Sequence, residues 1–240
     1  MITVTSTPNH AGVSIRGDHH DLQQLYDALR EVVGGEGQFP SQTVARLRVL
    51  GLCYDIRHAL MGDREVEFVD NGMHADLKRH LGILAPDKNV YYAWRTYWPE
   101  ILFITMALNE FAEGHDRRAK RKHWDPVVAA VRAFQAAVAD CIRDTVPETA
   151  VVRMLNAMNG RFSTYERYCT QYIDMWNVKF LKMTPEKRLK QLSVIAKRFD
   201  EKDADYWSIQ AVVKAAAREH GCPEDAVRLV GWDYPEEIDW

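Results

Sequence analysis

The sequence has no C-x-x-C pair. Its four cysteines, Cys53, Cys141, Cys169 and Cys222, stand far apart in 240 residues. That spacing excludes zinc knuckles and offers no disulfide framework, so reduced and mostly buried thiols are expected. Long hydrophobic runs are also missing. The most apolar stretch, Tyr91 to Phe111, is interrupted by Arg95 and Glu100. It therefore falls short of the roughly 20 consecutive apolar residues of a membrane-spanning helix. Met1-Ile-Thr-Val-Thr-Ser lacks the basic start and apolar block of an export signal, which makes the cytoplasm the expected location. No internal repeat and no low-complexity segment occurs. The one glycine-rich stretch, Gly34-Gly35-Glu36-Gly37, follows a helical pattern and not a strand. It reads as a helix C-cap and loop instead of a phosphate cradle.

Charge is plentiful but segregated. The net formal charge is −3, yet residues 1–113 carry −5, residues 114–199 carry +9 and residues 200–240 carry −7. The basic middle suits phosphates or an acidic partner, and the acidic end suits that middle as an intramolecular complement.

The periodicities predict an α+β protein, with a small mixed or antiparallel sheet packed on helices and a mostly helical C-terminal half. Residues 2–5, 12–16 and 64–69 alternate as strands do. Asp18 is placed to cap a helix carrying Leu22, Leu25, Tyr26, Leu29, Val32 and Val33, and Asp21 gives the start the shape of a capping box. A helix from Ser41 runs to about Leu60, although Leu47–Cys53 also reads as a buried strand. A short helix is expected around His74 to Leu81.

The strand Asn89–Trp94 then meets a buried helix at Trp98-Pro99, where proline suits the first helical turn, and the core is expected around that corner. Three parts follow: 1–113 with the sheet, a basic interhelical loop at 114–124, and a helical part 125–240 sharing the same core. Asp125-Pro126, Pro147 and Thr184-Pro185 start helices in that part. Ser163–Met183 and Asp203–Glu219 are further helical stretches, and Val227–Trp232 reads as a last strand.

Several phrases of the first 110 residues carry a likeness. They include Val13-Ser-Ile-Arg-Gly-Asp, Leu22-Gln-Gln-Leu-Tyr-Asp-Ala-Leu, Arg48-Val-Leu-Gly-Leu-Cys-Tyr-Asp-Ile-Arg-His-Ala and Trp98-Pro-Glu-Ile-Leu-Phe. As a set they resemble an uncharacterised bacterial protein family. The resemblance implies a bacterial or bacteriophage source, and no reaction, cofactor or catalytic residue.

The densest polar cluster is Tyr54, Asp55, Arg57, His58, Asp63, Arg64 and Glu65. On a helix Asp55 and His58 share a face, which would let the carboxylate orient the imidazole as a general base or metal ligand. The plainer reading is a helix end whose ions pair locally. Asp18-His19-His20-Asp21 and His115-Asp116 invite comparison with His-Asp metal phosphohydrolases, provided His58 or His80 converges on them.

The stretch 114–124 supplies Arg117, Arg118, Lys120, Arg121, Lys122 and Trp124 for nucleic-acid contact. Arg118 and His123 also have the spacing of a helical ribonuclease pair, although Ala119 stands where a polar residue is usual. The stripe Tyr165, Tyr168, Tyr172, Trp176 and Phe180 suits the core or a partner subunit. Trp232, Tyr234 and Trp240 mark a tail that docks, either on the basic helices of its own chain or on another chain.

The leading expectation is a non-catalytic protein acting through protein–protein contact, as a homodimer or as a regulator or inhibitor of a larger assembly. No cofactor, resident metal or membrane partner is expected. The alternatives are a phosphoesterase, working through a His-Asp metal site or through Arg118 and His123, and a nucleic-acid binder using residues 117–122.

Overall fold

The computed structural model describes residues 1–118, 124–159 and 169–240. Strands β1 (Thr3–Ser6) and β2 (Gly12–Gly17) form an antiparallel hairpin and lead into α1 (His19–Val33). Asp18 caps α1 by accepting the Asp21 N–H at 2.8 Å. The capping box is only half-formed, because the Asp21 carboxylate takes the Met1 amino group instead of reaching back. Leu22, Leu25, Leu29, Val32 and Val33 are buried. Gly34 then ends the helix at φ +63°, a left-handed conformation that costs glycine nothing.

A 3-10 turn, Pro40–Gln42, precedes α2 (Thr43–Leu60), so Leu47–Cys53 is helical and not a strand. Next come β3 (Glu65–Asp70), the short α3 (Ala75–Leu81) and β4 (Lys88–Tyr97). The strand β4 passes without a gap into α4 (Trp98–Arg118). Trp98 pins this corner to the β1–β2 turn. Its backbone N–H donates to the Ala11 carbonyl at 3.3 Å, and its indole N–H to Ser6 Oγ at 3.3 Å.

Five helices follow among the described residues: α5 (Pro126–Thr145), α6 (Glu148–Met158), α7 (Cys169–Leu181), α8 (Pro185–Glu201) and α9 (Ala204–His220). The helix α4 is apolar on nearly every side, with Ile101, Leu102, Phe103, Ile104, Met106, Leu108 and Phe111 all buried. That is the pattern of a helix enclosed by others, and α4 packs against α2, α5, α7 and α8 as well as the sheet. Each such side chain contributes roughly 1.5–3 kcal/mol by leaving water. One hydrophobic cluster extends from Val4 to Val213 and draws on both halves of the chain.

The sheet is antiparallel throughout, in the order β1-β2-β4-β3. Register assigns its two faces. Val4, Val13, Ile15 and Trp94 lie on the core face, and the same face continues through Tyr92, Val90, Val66 and Phe68. The opposite face is polar. There Arg16 pairs with Glu67 at 3.0 Å and Arg95 with Glu65 at 2.8 Å.

Two expectations are corrected. The helix α4 runs on to Arg118, so Arg117 and Arg118 belong to its last turn and not to a loop beginning at 114. Val227–Trp232 is not a strand. The backbone carbonyls of Glu224 and Val227 accept from the Gln171 side chain at 2.8 and 2.7 Å. With a side chain meeting those groups, Val227, Leu229 and Trp232 pack on the core from a coil that follows a 3-10 turn at Glu224–Ala226.

Candidate functional site

The 54–65 cluster forms at the C-terminal end of α2. Gly62, at φ +82°, turns the chain back so that the Asp63 N–H donates to the His58 carbonyl at 2.9 Å. This brings Asp63 under His58, whose Nδ1 lies 3.0 Å from the carboxylate. Asp55 is taken instead by Arg64 at 3.1 Å, so the expected Asp55–His58 pair does not form. Tyr54 packs against the His58 ring at 4.2 Å between centroids, and Arg57 lies over Tyr54. Glu65 belongs to Arg95. The cluster is a set of local ion pairs and ring contacts at a helix end.

The His-Asp doublets are likewise committed to structure. Asp18 is a cap, His19 packs edge-on to Tyr92, and Asp21 holds the Met1 amino group. His115 Nε2 lies 3.4 Å from Asp125, which caps α5 through the Val127 N–H at 2.9 Å. Burial works against the Asp125 carboxylate, but that N–H and His115 hold its pKa below the usual value. Among the described residues no three His, Cys, Asp or Glu side chains converge to hold a metal ion.

At the basic stretch Arg117 lies 3.9 Å from Glu113, and Arg118 covers the Phe39 ring at 4.6 Å. Trp124 is 88% exposed. Lys120, Arg121, Lys122 and His123 lie outside the described residues, and with them the Arg118–His123 pair. Tyr165 and Tyr168 do too, whereas Tyr172, Trp176 and Phe180 are core residues.

The tail docks on its own chain. Trp240 stacks on Tyr97 with ring centroids 5.5 Å apart and planes 11° apart, and Tyr234 stacks on the same Tyr97 at 5.6 Å. Trp232 receives Lys179 over its ring at 5.4 Å. Arg188, buried in α8, anchors the segment by donating to the carbonyls of Asp239, Asn9 and Leu181 at 2.8, 2.9 and 2.7 Å.

Beneath this tail lies a charged centre. Arg48, in the middle of α2, donates to Glu100 at 2.9 Å and to Asp174 at 2.8 Å. Asn177 Nδ2 donates to the same Glu100 oxygen at 2.9 Å, and the Tyr234 hydroxyl donates to Asp174 at 3.1 Å. The Arg48 and Glu100 side chains are only 16% and 14% exposed. Burial pushes the Glu100 carboxyl above its ordinary pKa despite the pull of Arg48 and Asn177, and Asp174 adds its repulsion. Arg48, although buried, is held above its ordinary value by the two carboxylates. Beside the centre is a cavity of about 430 Å³ whose lining includes Tyr54, Asp55, Tyr97, Glu100, Asn177 and Trp240. Tyr54 and Asp55 are therefore the members of the polar cluster that reach this cavity.

A second feature is an overhang. The core face of the sheet extends past the helices that cover it, and there Val66, Phe68 and Val90 stand in solvent, Phe68 at 65% exposure. Leu81, Ile83 and the fully exposed Leu84 lie on and just after α3, which has no buried residue of its own. Among the described strands β3 is terminal in the sheet, so one of its edges is unpaired.

Among the described residues no helix is long and apolar enough to cross a membrane. The profile of an uncharacterised family, described as Domain of unknown function (DUF6904), matches residues 2–240. No curated protein and no solved structure matches the chain. The chain belongs to the DUF6904 family, and the match spans both the sheet and the helical half.

Proposed function

We propose that the protein is a non-catalytic binding protein, a regulator or inhibitor of a larger assembly, and that the overhanging end of its sheet makes the contact. The observation that carries this reading is the run Tyr92, Val90, Val66 and Phe68, which continues the core face beyond its helices. Apolar surface of this kind is costly to leave in water and suits an interface.

The edge is also permissive. An edge strand is usually guarded by charges that a second strand would strand or oppose. Here Glu65 and Glu67 are already engaged by Arg95 and Arg16 on the polar face.

A second copy of the chain suits this edge. Antiparallel pairing of two β3 strands about Phe68 keeps like faces together and sets Phe68 opposite Phe68. Glu67 then meets Val69, and Val66 meets Asp70, so no two like charges face each other. The test is light scattering of the full chain together with the Phe68→Asp variant. A dimer that the substitution dissolves supports the reading. A monomer whose Phe68→Asp variant captures the same host proteins as the unaltered chain overturns it.

A further inference from the structure

The charged centre under the tail is unevenly balanced. Two carboxylates, Glu100 and Asp174, share the single guanidinium of Arg48. The other ions around the cavity are matched with partners outside it: Arg95 with Glu65, and Asp55 with Arg64. Among the described residues one negative charge is therefore left over in a half-enclosed, low-dielectric place, where a compensating cation is worth more than in water.

Asn177 adds a second and independent sign. It is 1% exposed and lines the cavity, and its Nδ2 is fixed by Glu100 and by the Tyr234 hydroxyl at 3.3 Å. Those two bonds set the orientation of the amide. Its Oδ1 is left with no hydrogen-bond partner among the described residues. Buried polar atoms are nearly always satisfied, so a buried acceptor without a donor calls for one.

The walls supply the third sign. Tyr54, Tyr97, Tyr234 and Trp240 all line the cavity; the Tyr97 and Trp240 rings stack on each other, and Arg95 lies over Trp240 at 5.9 Å. Such aromatic walls suit the organic part of a ligand, and the volume of about 430 Å³ lies within the span of small-molecule sites. Surplus negative charge, a lone acceptor and aromatic walls together define one class of ligand.

We propose that the cavity between α2, α4, α7 and the C-terminal segment is a binding site for a small free organic amine, taken up as its ammonium ion. The ammonium donates to Asn177 Oδ1 and sits against the Glu100 carboxylate, while the organic remainder lies along Tyr97 and Trp240. An anion is rejected by Glu100 and Asp174, and a neutral isostere offers no charge to balance them. The site is separate from the sheet overhang and does not depend on it.

The experiment is a titration of the isotope-labelled full chain, followed through the Trp240 indole N–H resonance, which the Trp240→Phe variant assigns. The probes are benzylammonium, methylammonium and spermidine, with benzyl alcohol, benzoate and Nα-acetyl-lysine methylamide as comparators. Saturable shifts with at least one of the three amines are expected, and none with benzoate. Glu100→Gln is expected to weaken binding about tenfold or more, the loss of one charge-assisted contact. Should Glu100→Gln fail to fold, Trp240→Ala serves in its place. It removes a ring face without touching the buried ions, and its binding is then read from the other cavity resonances. Benzyl alcohol or benzoate binding as tightly as benzylammonium overturns the proposal. So does silence from all three amines at millimolar concentration, or binding of the lysine derivative alone, which would mean a peptide-borne ammonium.

Discussion

Along the core face of the sheet, Trp94 and Ile15 lie in the layer formed with α1, α2 and α4, while Phe68 and Val66 on the same face stand in solvent. The residue types at the two ends are alike, and so is the alternation that placed them. What differs is whether a helix lies over them. Alternation therefore specifies a strand and its face, but the cover is a tertiary property, and a face that outruns its cover is where a second molecule has something to gain.

The comparison is broken most directly at its covered end. Trp94→Ala is expected to destabilise the fold by about 3–5 kcal/mol, since it empties a buried site that its neighbours refill only in part. A denaturant midpoint that barely moves would show that the two ends are equivalent after all. Arg48→Ala should cost a comparable amount, about 3–5 kcal/mol, because it leaves the buried Glu100 carboxylate without the cation it shares with the part-exposed Asp174. A partial rescue by adding Glu100→Gln to the variant would tie the loss to charge and not to packing.

Smaller is the cap of α1, one of the covering helices. Asp18→Ala should cost about 1 kcal/mol at neutral pH. The Asp21 N–H holds the Asp18 pKa below its ordinary 3.8. An acid depressed in the folded state stabilises it above the unfolded pKa and loses that contribution as pH falls through the folded one. The gap between parent and variant should therefore be constant at neutral pH and close below pH 3.8; a gap that persists in stronger acid would mean that the carboxylate is not the cap. Smallest of all is Phe68→Ala, whose effect on monomer stability should stay within about 0.5 kcal/mol. A much larger loss, in a protein shown to be monomeric, would place Phe68 under cover and erase the contrast.

The corner at Trp98 was legible because Pro99 occupies a first-turn position after a strand rich in Tyr, Val and Trp. The starts of α1 and α5 were legible from Asp18 and Asp125, since capping is a local act. The charged centre was not. Arg48 lies 52 positions from Glu100 and 126 from Asp174, and nothing local brings them together. A hint was present all the same: Glu100 interrupts the most apolar run in the chain, and an acid kept there needs a partner from elsewhere. Val227–Trp232 misled for the opposite reason. Its residues read like a strand, but a distant Gln171 side chain occupies the Val227 carbonyl at its start and the Glu224 carbonyl just before it.

Arg188 gathers carbonyls from Asn9, Leu181 and Asp239, and in doing so sets a clock. A chain released from its N-terminus makes the β1–β2 turn early, from neighbours, but the Asn9 carbonyl waits for a guanidinium 179 positions later. That guanidinium in turn waits 51 positions more for Asp239. Contacts so far apart in sequence close late. The tail can seat only once all three stretches have met, and until then the charged centre beneath it lies uncovered.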